Sequence, residues 1–361
     1  MGDRSILFIL PSFSAGGAER VALNLLVGLY NLGYSVNLLV FDDKGPLSSM
    51  LPSDVKVHNL KAVSLTRSIL PLIRKIRLIH PDLVFSTFGY INIALLFLRP
   101  FLQRDVHIWI REANLPSLSL PNNKNYYLMW VGYFLFYRSA DRILCTSKKM
   151  QTEFFQNFHI PISKLYLLPN PINEKLVRSK AINTMRDSGN GICYIAAGRL
   201  TYQKGFDRLL QWFSKVDDNK SKLRIFGKGE LEEKLKRKTK ELGIDNRVYF
   251  SGYNDNPWSW IAGSDVYLLS SRWEGMPNIA LEALACGTPV IATAASGGIS
   301  DVKAQSKPGS VIVVSTEREF IKAMNNIHSK PSKSLSKSLL PKNYKLNNVI
   351  DLFTLWIDEI N

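Results

Sequence analysis

Two carboxylates eight positions apart, Glu274 and Glu282, flank a helix start that the sequence predicts near Pro277. Proline is tolerated at a first helical position and glycine just after a last one, so Pro277 and Gly287 are consistent with a short helix. The unpaired N–H groups of a helix start attract anions or hydroxyls. Because two carboxylates would repel a phosphate there, the pattern favours hydrogen bonds to sugar or ribose hydroxyls. The alternative is a buried helix with two incidental acids.

Two cations, Arg199 and Lys204, lie five positions apart in a glycine-containing loop over residues 198–205, after a predicted strand. Such a loop can direct both side chains at one diphosphate, whose departure requires fixed positive charge. The alternative reading is two solvated surface cations, but Glu274 and Glu282 follow in the same half of the chain. No pair of carboxylates stands in a setting suited to a divalent ion. Because two cations can do the work of such an ion, we predict no metal.

A glycine pair, Gly16 and Gly17, connects an apolar strand predicted over 6–10 to a helix predicted over 18–32. A further strand over 36–41 completes a βαβ unit, and open α/β sheets bind ligands at such strand-to-helix turns. The glycine spacing is not GxGxxG, so no dinucleotide is predicted from it. The alternative is a turn that binds no ligand.

The elements that must position these residues alternate between strand and helix along the chain, which predicts an α/β fold. A second α/β series begins at Ile192, after a polar and poorly patterned stretch that reads as an interdomain linker. We predict a first domain over 1–171, a linker over 172–191, a second domain over 192–345 and a last helix over 346–361. Residues 329–345 are predicted to form a mobile basic segment at the end of the second domain.

The length of 361 residues, with 46% hydrophobic and 21% charged residues, suits two globular domains and argues against a disordered chain. Three cysteines, Cys145, Cys193 and Cys286, have neither metal-ligand nor disulfide spacing, which favours a reducing cytosol. The first apolar run is too short for a membrane span and lacks the layout of a signal peptide. We therefore expect a cytoplasmic location.

The net charge of +16 indicates an anionic partner: nucleic acid, a membrane surface or a phosphorylated substrate. No nucleic-acid-binding module can be read in the sequence. Three apolar segments lie in the first half, over 66–80 (with Pro71 near a helix start), 90–102 and 126–137. Basic residues flank them: Arg67, Arg74, Lys75, Arg77, Arg99, Arg104 and Arg138. This combination favours peripheral contact with an anionic membrane, and the alternative is ordinary core packing.

The stretch from Glu274-Gly275-Met276-Pro277-Asn278 through Glu282 to Gly287-Thr288-Pro289 resembles the EX7E region of the retaining, nucleotide-sugar-dependent glycosyltransferases of family 4. Other landmarks of that family occur in the same order along nearly the whole chain: Gly16-Gly17-Ala18-Glu19-Arg20, Asn170-Pro171, Gly198-Arg199-Leu200, Lys204-Gly205 and Gly297-Gly298. The resemblance extends to bacterial enzymes of lipid-linked oligosaccharide, O-antigen or capsule assembly.

The resemblance implies a GT-B fold, in which two Rossmann-like domains face a central cleft, and a last helix that crosses back to the first domain. It implies that Glu282 binds the donor ribose and that Glu274 contacts the transferred sugar, with Arg199 and Lys204 on the diphosphate. The backbone from Gly275 through Met276 and Pro277 to Asn278 would complete this cradle. Gly16 and Gly17 would approach the donor phosphates or the acceptor, and Gly252 and Tyr253 would hold the nucleobase.

One departure from the family pattern concerns the residues after the strand predicted to end near Ile110. Many relatives have a histidine there that contacts the donor sugar, whereas this chain has Ala113. Arg111, Glu112 or Asn114 are the candidates to replace that contact with the sugar or the acceptor.

The predicted function is transfer of a sugar from a nucleotide diphosphate sugar, a UDP-sugar, to a hydroxyl of a lipid-linked glycan at the inner face of the cytoplasmic membrane. No cofactor besides the nucleotide sugar is expected, and no nucleic-acid partner. The alternatives are a transferase with a soluble acceptor, a non-catalytic nucleotide-binding protein, and a nucleic-acid-binding protein that acts through charge alone.

Overall fold

The computed structural model describes residues 4–61, 65–122, 125–187, 189–329 and 334–360. The chain forms two compact units, Met1–Pro171 together with Leu346–Asn361, and Ile172–Lys345. Each unit contains one sheet in which every pair of neighbouring strands is parallel. The predicted α/β architecture of two Rossmann-like domains is therefore confirmed.

The first unit has a seven-stranded sheet in the order β3-β2-β1-β4-β5-β6-β7. The strands are β1 Ser5–Leu10, β2 Ser35–Val40, β3 Lys56–Asn59, β4 Leu83–Ser86, β5 His107–Arg111, β6 Arg142–Cys145 and β7 Leu165–Leu167. The helices are α1 Gly17–Asn31, α2 Leu65–Ile79, α3 Gly89–Leu98, α4 Pro116–Ser119, α5 Tyr126–Phe136 and α6 Lys148–Phe158. The order of strands reverses between β1 and β4, which is the position where open α/β sheets bind ligands.

The apolar run of β1 is buried on both faces of the sheet, as expected of a central parallel strand. Phe8 and Leu10 face a core that α1 builds, whereas Leu7 and Ile9 face a second core that α3 and α6 build. In α2 the expected helix start near Pro71 is wrong, because this proline lies inside the helix.

The second unit has a six-stranded sheet in the order β10-β9-β8-β11-β12-β13. The strands are β8 Cys193–Ala197, β9 Lys222–Phe226, β10 Val248–Phe250, β11 Val266–Leu269, β12 Val290–Thr293 and β13 Val311–Val314. The helices are α7 Glu174–Lys180, α8 Phe206–Phe213, α9 Glu232–Glu241, α10 Trp258–Gly263, α11 Asn278–Ala285, α12 Ile299–Gln305 and α13 Glu317–Asn325.

The last helix, α14 Leu346–Asp358, belongs to the first unit and packs against α1. Val349, Ile350 and Phe353 are buried in the core that α1 shares with β1. A Cβ atom on Gly28 of α1 would lie 2.6 Å from Cγ1 of Ile350, so glycine at this position permits the close approach of the two helices.

The segment expected to link the domains lies within the second unit. Helix α7 occupies its first part, and Ile172 and Val177 are buried there. Arg186 donates to both carboxylate oxygens of Asp265, at 2.9 and 2.7 Å, and Arg224 pairs with Asp187. The polar residues that suggested a linker therefore tie the chain to the sheet. Ser188 lies outside the described residues.

The segment expected to be mobile, 329–345, lies partly outside the described residues, which omit 330–333. From Ser334 onward the chain packs on α11. The N–H of Leu339 donates to the carbonyl of Leu284 at 2.8 Å, and Leu340 and Tyr344 are buried.

Candidate active site

Lys204 and Glu274, predicted from separate motifs, meet at the carboxyl edge of the second unit's sheet. Lys204 lies in the loop after β8, and Glu274 lies in the loop after β11. The Lys204 ammonium forms a salt bridge with Oε1 of Glu274, which also accepts from the hydroxyl of Ser271 at 2.7 Å. Both charged side chains are largely buried. A cation and a carboxylate are thus held together beside two strand ends.

Helix α8 fixes the loop that carries Glu274. Arg208 donates from Nε to the carbonyl of Ser270 at 2.8 Å and from Nη2 to the carbonyl of Ser271 at 2.5 Å. Asp207 accepts two hydrogen bonds from Arg272, each 2.7 Å long. Sequence reasoning missed Asp207 and Arg208. They lie in the first turn of α8, after Lys204-Gly205-Phe206, and no recognisable pattern separates them from ordinary residues of a first helical turn.

Glycines allow the loops of this edge to touch through their backbones. Gly297, with φ +62°, follows β12, and a Cβ atom there would overlap the carbonyl oxygens of Glu274 and Gly275. The N–H of Gly298 donates to the carbonyl of Gly275 at 2.7 Å. Gly275 and Gly298 thus join the Glu274 loop to the start of α12.

Glu282 lies on α11, and its Oε2 accepts from the indole N–H of Trp258 at 2.7 Å. The helix begins at Asn278 with Pro277 as its N-cap, one residue later than the predicted start. Met276 is buried in the core beneath this helix start. The two predicted carboxylates therefore lie on the loop before α11 and inside α11.

Arg199 is exposed in the same loop as Lys204. A Cβ atom on Gly198 would lie 3.4 Å from the aliphatic carbons of Lys204, so the glycine leaves room for that side chain. Gly252 follows β10 with φ +67°, and its carbonyl accepts from the N–H of Gly227 at 2.8 Å. Tyr253 beside it is exposed. All these predicted donor residues follow strands of one sheet.

Gly16 and Gly17 lie in the first unit, after β1 at the point where the strand order reverses. Gly16 is the N-cap of α1, and a Cβ atom there would overlap the carboxylate of Glu19. Burial of the Tyr90 hydroxyl, together with the charge of Glu19, raises the pKa of Tyr90 to about 12. Sequence reasoning assigned no role to Glu19 or Tyr90, although Glu19 lies beside Gly16 and its charge acts on the Tyr90 hydroxyl.

Arg111 and Glu112 are buried and paired within the first unit. Arg111 donates to Oδ1 of Asn170, and Glu112 accepts from the side-chain amide of Asn92 at 2.8 Å and from the hydroxyl of Tyr137. Burial raises the pKa of Glu112 to about 7 and lowers the pKa of Arg111 to about 10. Asn114 is half-buried. Arg111 and Glu112 thus already have protein partners. Contact of Arg111, Glu112 or Asn114 with a sugar stays a prediction.

Exposed apolar side chains lie on helices α2, α3 and α5 and on the short turn Arg99–Phe101 after α3 in the first unit. Tyr127 and Leu128 of α5 are 81% and 73% exposed. We call this the apolar surface and define it by its exposed members: Leu70, Leu78, Phe97, Phe101, Tyr127, Leu128, Val131 and Leu135. Arg74 and Arg77 are exposed on α2 and Lys75 is half-buried, whereas the side chain of Arg67 lies outside the described part of the chain.

Among the described residues, no helix is both long enough and apolar enough to cross a bilayer. The same part of the chain holds no group of three or more His, Cys, Asp or Glu residues that could ligate a metal ion.

Two family profiles match the chain: "Glycosyltransferase Family 4" over residues 15–176 and "Glycosyl transferases group 1" over residues 181–345. The chain is 26% identical over 330 residues to the Campylobacter jejuni N-acetylgalactosamine-N,N'-diacetylbacillosaminyl-diphospho-undecaprenol 4-alpha-N-acetylgalactosaminyltransferase, with 88% of each chain covered. It is 25% identical to the amylovoran biosynthesis glycosyltransferase of Erwinia amylovora, with 82% of this chain and 83% of that protein covered.

Two solved structures share the fold over 98% of this chain and 99% of their own. A lipopolysaccharide outer core galactosyltransferase in its apo form has a TM-score of 0.73 at 19% identity. The Anabaena protein HepE, in complex with UDP-glucose, has a TM-score of 0.75 at 15% identity.

Proposed function

Because this chain belongs to the family 4 glycosyltransferases and has their GT-B fold, we propose that it uses a UDP-sugar to glycosylate a lipid-linked glycan with retention of the anomeric configuration. The observation that carries the donor half of this proposal is the meeting of Lys204 with Glu274 at one sheet edge. Glycosyl transfer from a diphosphate needs positive charge for the leaving group and an acceptor for the sugar hydroxyls.

The proposed reaction assigns one task to the two cations and a separate task to each of the two glutamates. Lys204 and Arg199 balance the negative charge that develops as the bond between the anomeric carbon and the diphosphate oxygen breaks. Glu274 accepts hydrogen bonds from the transferred sugar, and Glu282 accepts them from the ribose. The acceptor hydroxyl attacks from the face that the diphosphate leaves, and its proton passes to a diphosphate oxygen. Retention follows because both bonds lie on that face.

The salt bridge between Lys204 and Glu274 also explains how two charges are accommodated with little exposure to solvent. Each of these largely buried charges would be costly without a partner. An incoming donor offers phosphate to the lysine and hydroxyls to the glutamate, so both groups exchange one partner for another. We propose that no metal ion and no further cofactor are needed, since the two cations can neutralise the leaving group.

The membrane half of the proposal depends on the apolar surface and on charge. Insertion of Tyr127, Leu128 and their neighbours, with the nearby cations of α2 on anionic lipid, would give reversible docking without a span. The Campylobacter relative is named for an undecaprenol-linked substrate, and a lipid-linked acceptor requires access to a membrane. We propose peripheral binding at the inner face of the cytoplasmic membrane. A soluble acceptor is the alternative.

A screen of nucleotide sugars for donor hydrolysis, followed by transfer to lipid-linked glycans, tests the proposal. We expect Lys204→Ala and Glu274→Ala each to lower turnover at least about 100-fold, as loss of one preorganised charge does. Lys215→Ala is the matched control, because Lys215 pairs with Glu317 at 2.6 Å on the exposed surface of the same unit. Folded Lys204→Ala and Glu274→Ala variants with wild-type turnover would show that the donor site lies elsewhere.

A further inference from the structure

The carboxylate of Glu282 is held by a buried tryptophan. Trp258 donates from Nε1 to Oε2 of Glu282 at 2.7 Å, and both residues are buried. An indole N–H can only donate, and a hydrogen bond to a carboxylate is stronger than one between neutral groups. The contact therefore fixes the position of one oxygen of the Glu282 carboxylate.

The tryptophan is itself held by several contacts. The thiol of Cys286 lies 3.7 Å from the carbonyl of Trp258, and the hydroxyl of Thr288 donates to the carbonyl of Ile261 at 2.7 Å. These contacts join α10 to the end of α11. On the other side, the ammonium of Lys180 lies 5.7 Å from the centre of the indole ring. Trp258 and Glu282 thus belong to one packed assembly of helices.

The position of Trp258 along the chain connects two parts of the predicted donor site. Gly252 and Tyr253 lie in the loop after β10, and that loop leads through Pro257, the N-cap, into α10. The loop that contains the two residues expected to hold the nucleobase therefore leads into the helix whose first residue, Trp258, binds the expected ribose ligand.

We infer that Trp258 is a positioning residue, which orients Glu282 toward the ribose hydroxyls and so gives the enzyme its preference for ribonucleotides over 2′-deoxyribonucleotides. This inference rests on the proposed function, because it takes Glu282 as the ribose ligand. A glutamate without this restraint could adopt other rotamers, and ordering it would then weaken binding of the ribose. Trp258 touches neither the sugar nor the phosphates in this scheme.

The test is calorimetric binding of matched ribo and 2′-deoxy diphosphates of uracil, guanine and adenine to wild type and Trp258→Phe. Phenylalanine keeps an aromatic ring but removes the N–H donor. For the base that binds wild type, we expect the variant to bind the ribonucleotide about 10-fold more weakly, the usual effect of losing a hydrogen bond to a charged group. Affinity for the 2′-deoxy compound, which keeps only the 3′-hydroxyl, should fall less, so the ratio of the two affinities should fall.

Trp212→Phe is the matched control. Trp212 is a buried tryptophan of the same unit whose ring centre lies 4.6 Å from that of Phe320, and its side chain hydrogen-bonds Glu317. This variant should retain both affinities. In steady-state assays Trp258→Phe should raise KM for the nucleotide sugar and leave kcat nearly unchanged, because the ribose does not take part in bond breaking.

The outcomes separate this inference from the proposed function. Trp258→Phe with unchanged affinities, or with equal losses for ribo and 2′-deoxy compounds, overturns the positioning role. If Glu282→Gln weakens ribonucleotide binding while Trp258→Phe does not, only the role of Trp258 fails. If Glu282→Gln has no effect, or none of the diphosphates binds wild type, the donor-site assignment fails and the inference fails with it.

Discussion

Replacing Glu112 with glutamine should change how the stability of the protein depends on pH. Glu112 follows β5 and is buried, and burial is the largest influence on its carboxyl group, raising its pKa from the usual value of 4.5 to about 7. The hydrogen bonds from Tyr137, Tyr133 and Asn92 and the charge of Arg111 act in the opposite direction and offset part of that rise.

The direction of this pH dependence follows from the number of protons that the folded and unfolded chains bind. Between the unfolded and folded pKa values, folded Glu112 retains a proton that the unfolded chain releases, so a rise in pH favours unfolding. The stability from protonated Glu112 is fully present below the unfolded pKa and is lost as pH rises through about 7. The two pKa values differ by about 2.5, so the free energy of unfolding falls by about 3 kcal/mol in total, most of it between about pH 5 and pH 8.

Urea unfolding of wild type and Glu112→Gln across that pH range measures this loss. Glutamine is similar in shape but does not titrate, so subtracting the variant's free energy of unfolding from that of wild type removes the contribution of every other group. We expect this difference to fall by roughly 2–3 kcal/mol from about pH 5 to pH 8. An infrared band from a protonated carboxyl, present in wild type near pH 5 and absent from the variant, would identify the group directly.

A second variant tests whether the stability loss follows the pKa of Glu112. The hydroxyl of Tyr137 donates to Glu112 and lowers its pKa, so Tyr137→Phe should raise that pKa further and shift the midpoint of the stability loss to higher pH. A difference between wild type and Glu112→Gln that stays constant across the range would refute the reasoning, because it would mean that Glu112 is ionised in the folded protein throughout.

Three further predictions concern the membrane, the metal and the loop that carries Glu274. The protein should sediment with anionic vesicles more than with neutral ones, and salt should release part of it. Serine at Arg74, Lys75 and Arg77 should weaken vesicle binding without loss of donor hydrolysis, and serine at Lys234, Arg237 and Lys238 of α9 is the charge-matched control. Equal sedimentation with both kinds of vesicle would favour a soluble acceptor. Activity should survive excess EDTA, and loss that magnesium or manganese restores would contradict the metal-free proposal. Gly297→Ala should weaken UDP binding and lower the melting temperature more than Gly309→Ala, because both glycines have positive φ but only Gly297 faces backbone atoms. An alanine in the positive-φ conformation costs about 1–2 kcal/mol at either position. Equal effects of the two substitutions would exclude a role for the backbone contacts of Gly297.

The meeting of Lys204 with Glu274 at the candidate donor site could be predicted because both residues belong to local patterns. Lys204 and Glu274 each follow a buried strand, and parallel strands of one sheet end at the same edge, so their meeting follows once the strands are assigned. The bond between Trp258 and Glu282 could not be predicted in this way. This bond depends on the packing of α10 on α11. In the sequence alone, a tryptophan within an apolar run that binds a carboxylate looks the same as one that only packs in the core.

The error over residues 172–191 has a different cause. A polar and poorly patterned stretch predicts a linker, but Arg186 pairs with Asp265, just before β11, and Asp187 pairs with Arg224 of β9. Whether a charged residue is solvated or paired depends on a partner that is distant in sequence, and composition contains no information about that partner. The same limit applies to β3, whose short run over Lys56–Asn59 lies at the edge of the sheet and has no apolar signature.

Helix α5 places the residues of one apolar run in two different environments. Its sequence reads as hydrophobic throughout, yet Tyr127 and Leu128 are exposed while Tyr133 is buried. The hydroxyl of Tyr133 acts on Glu112, and Gly132 allows close approach to Ile93 of α3. The proposed lipid-binding face is therefore anchored to the end of β5 by polar contacts as well as by packing. Because the tyrosines provide both the apolar rings and the donors that Glu112 requires, the helix can attach to a buried carboxyl group without any charged residue of its own.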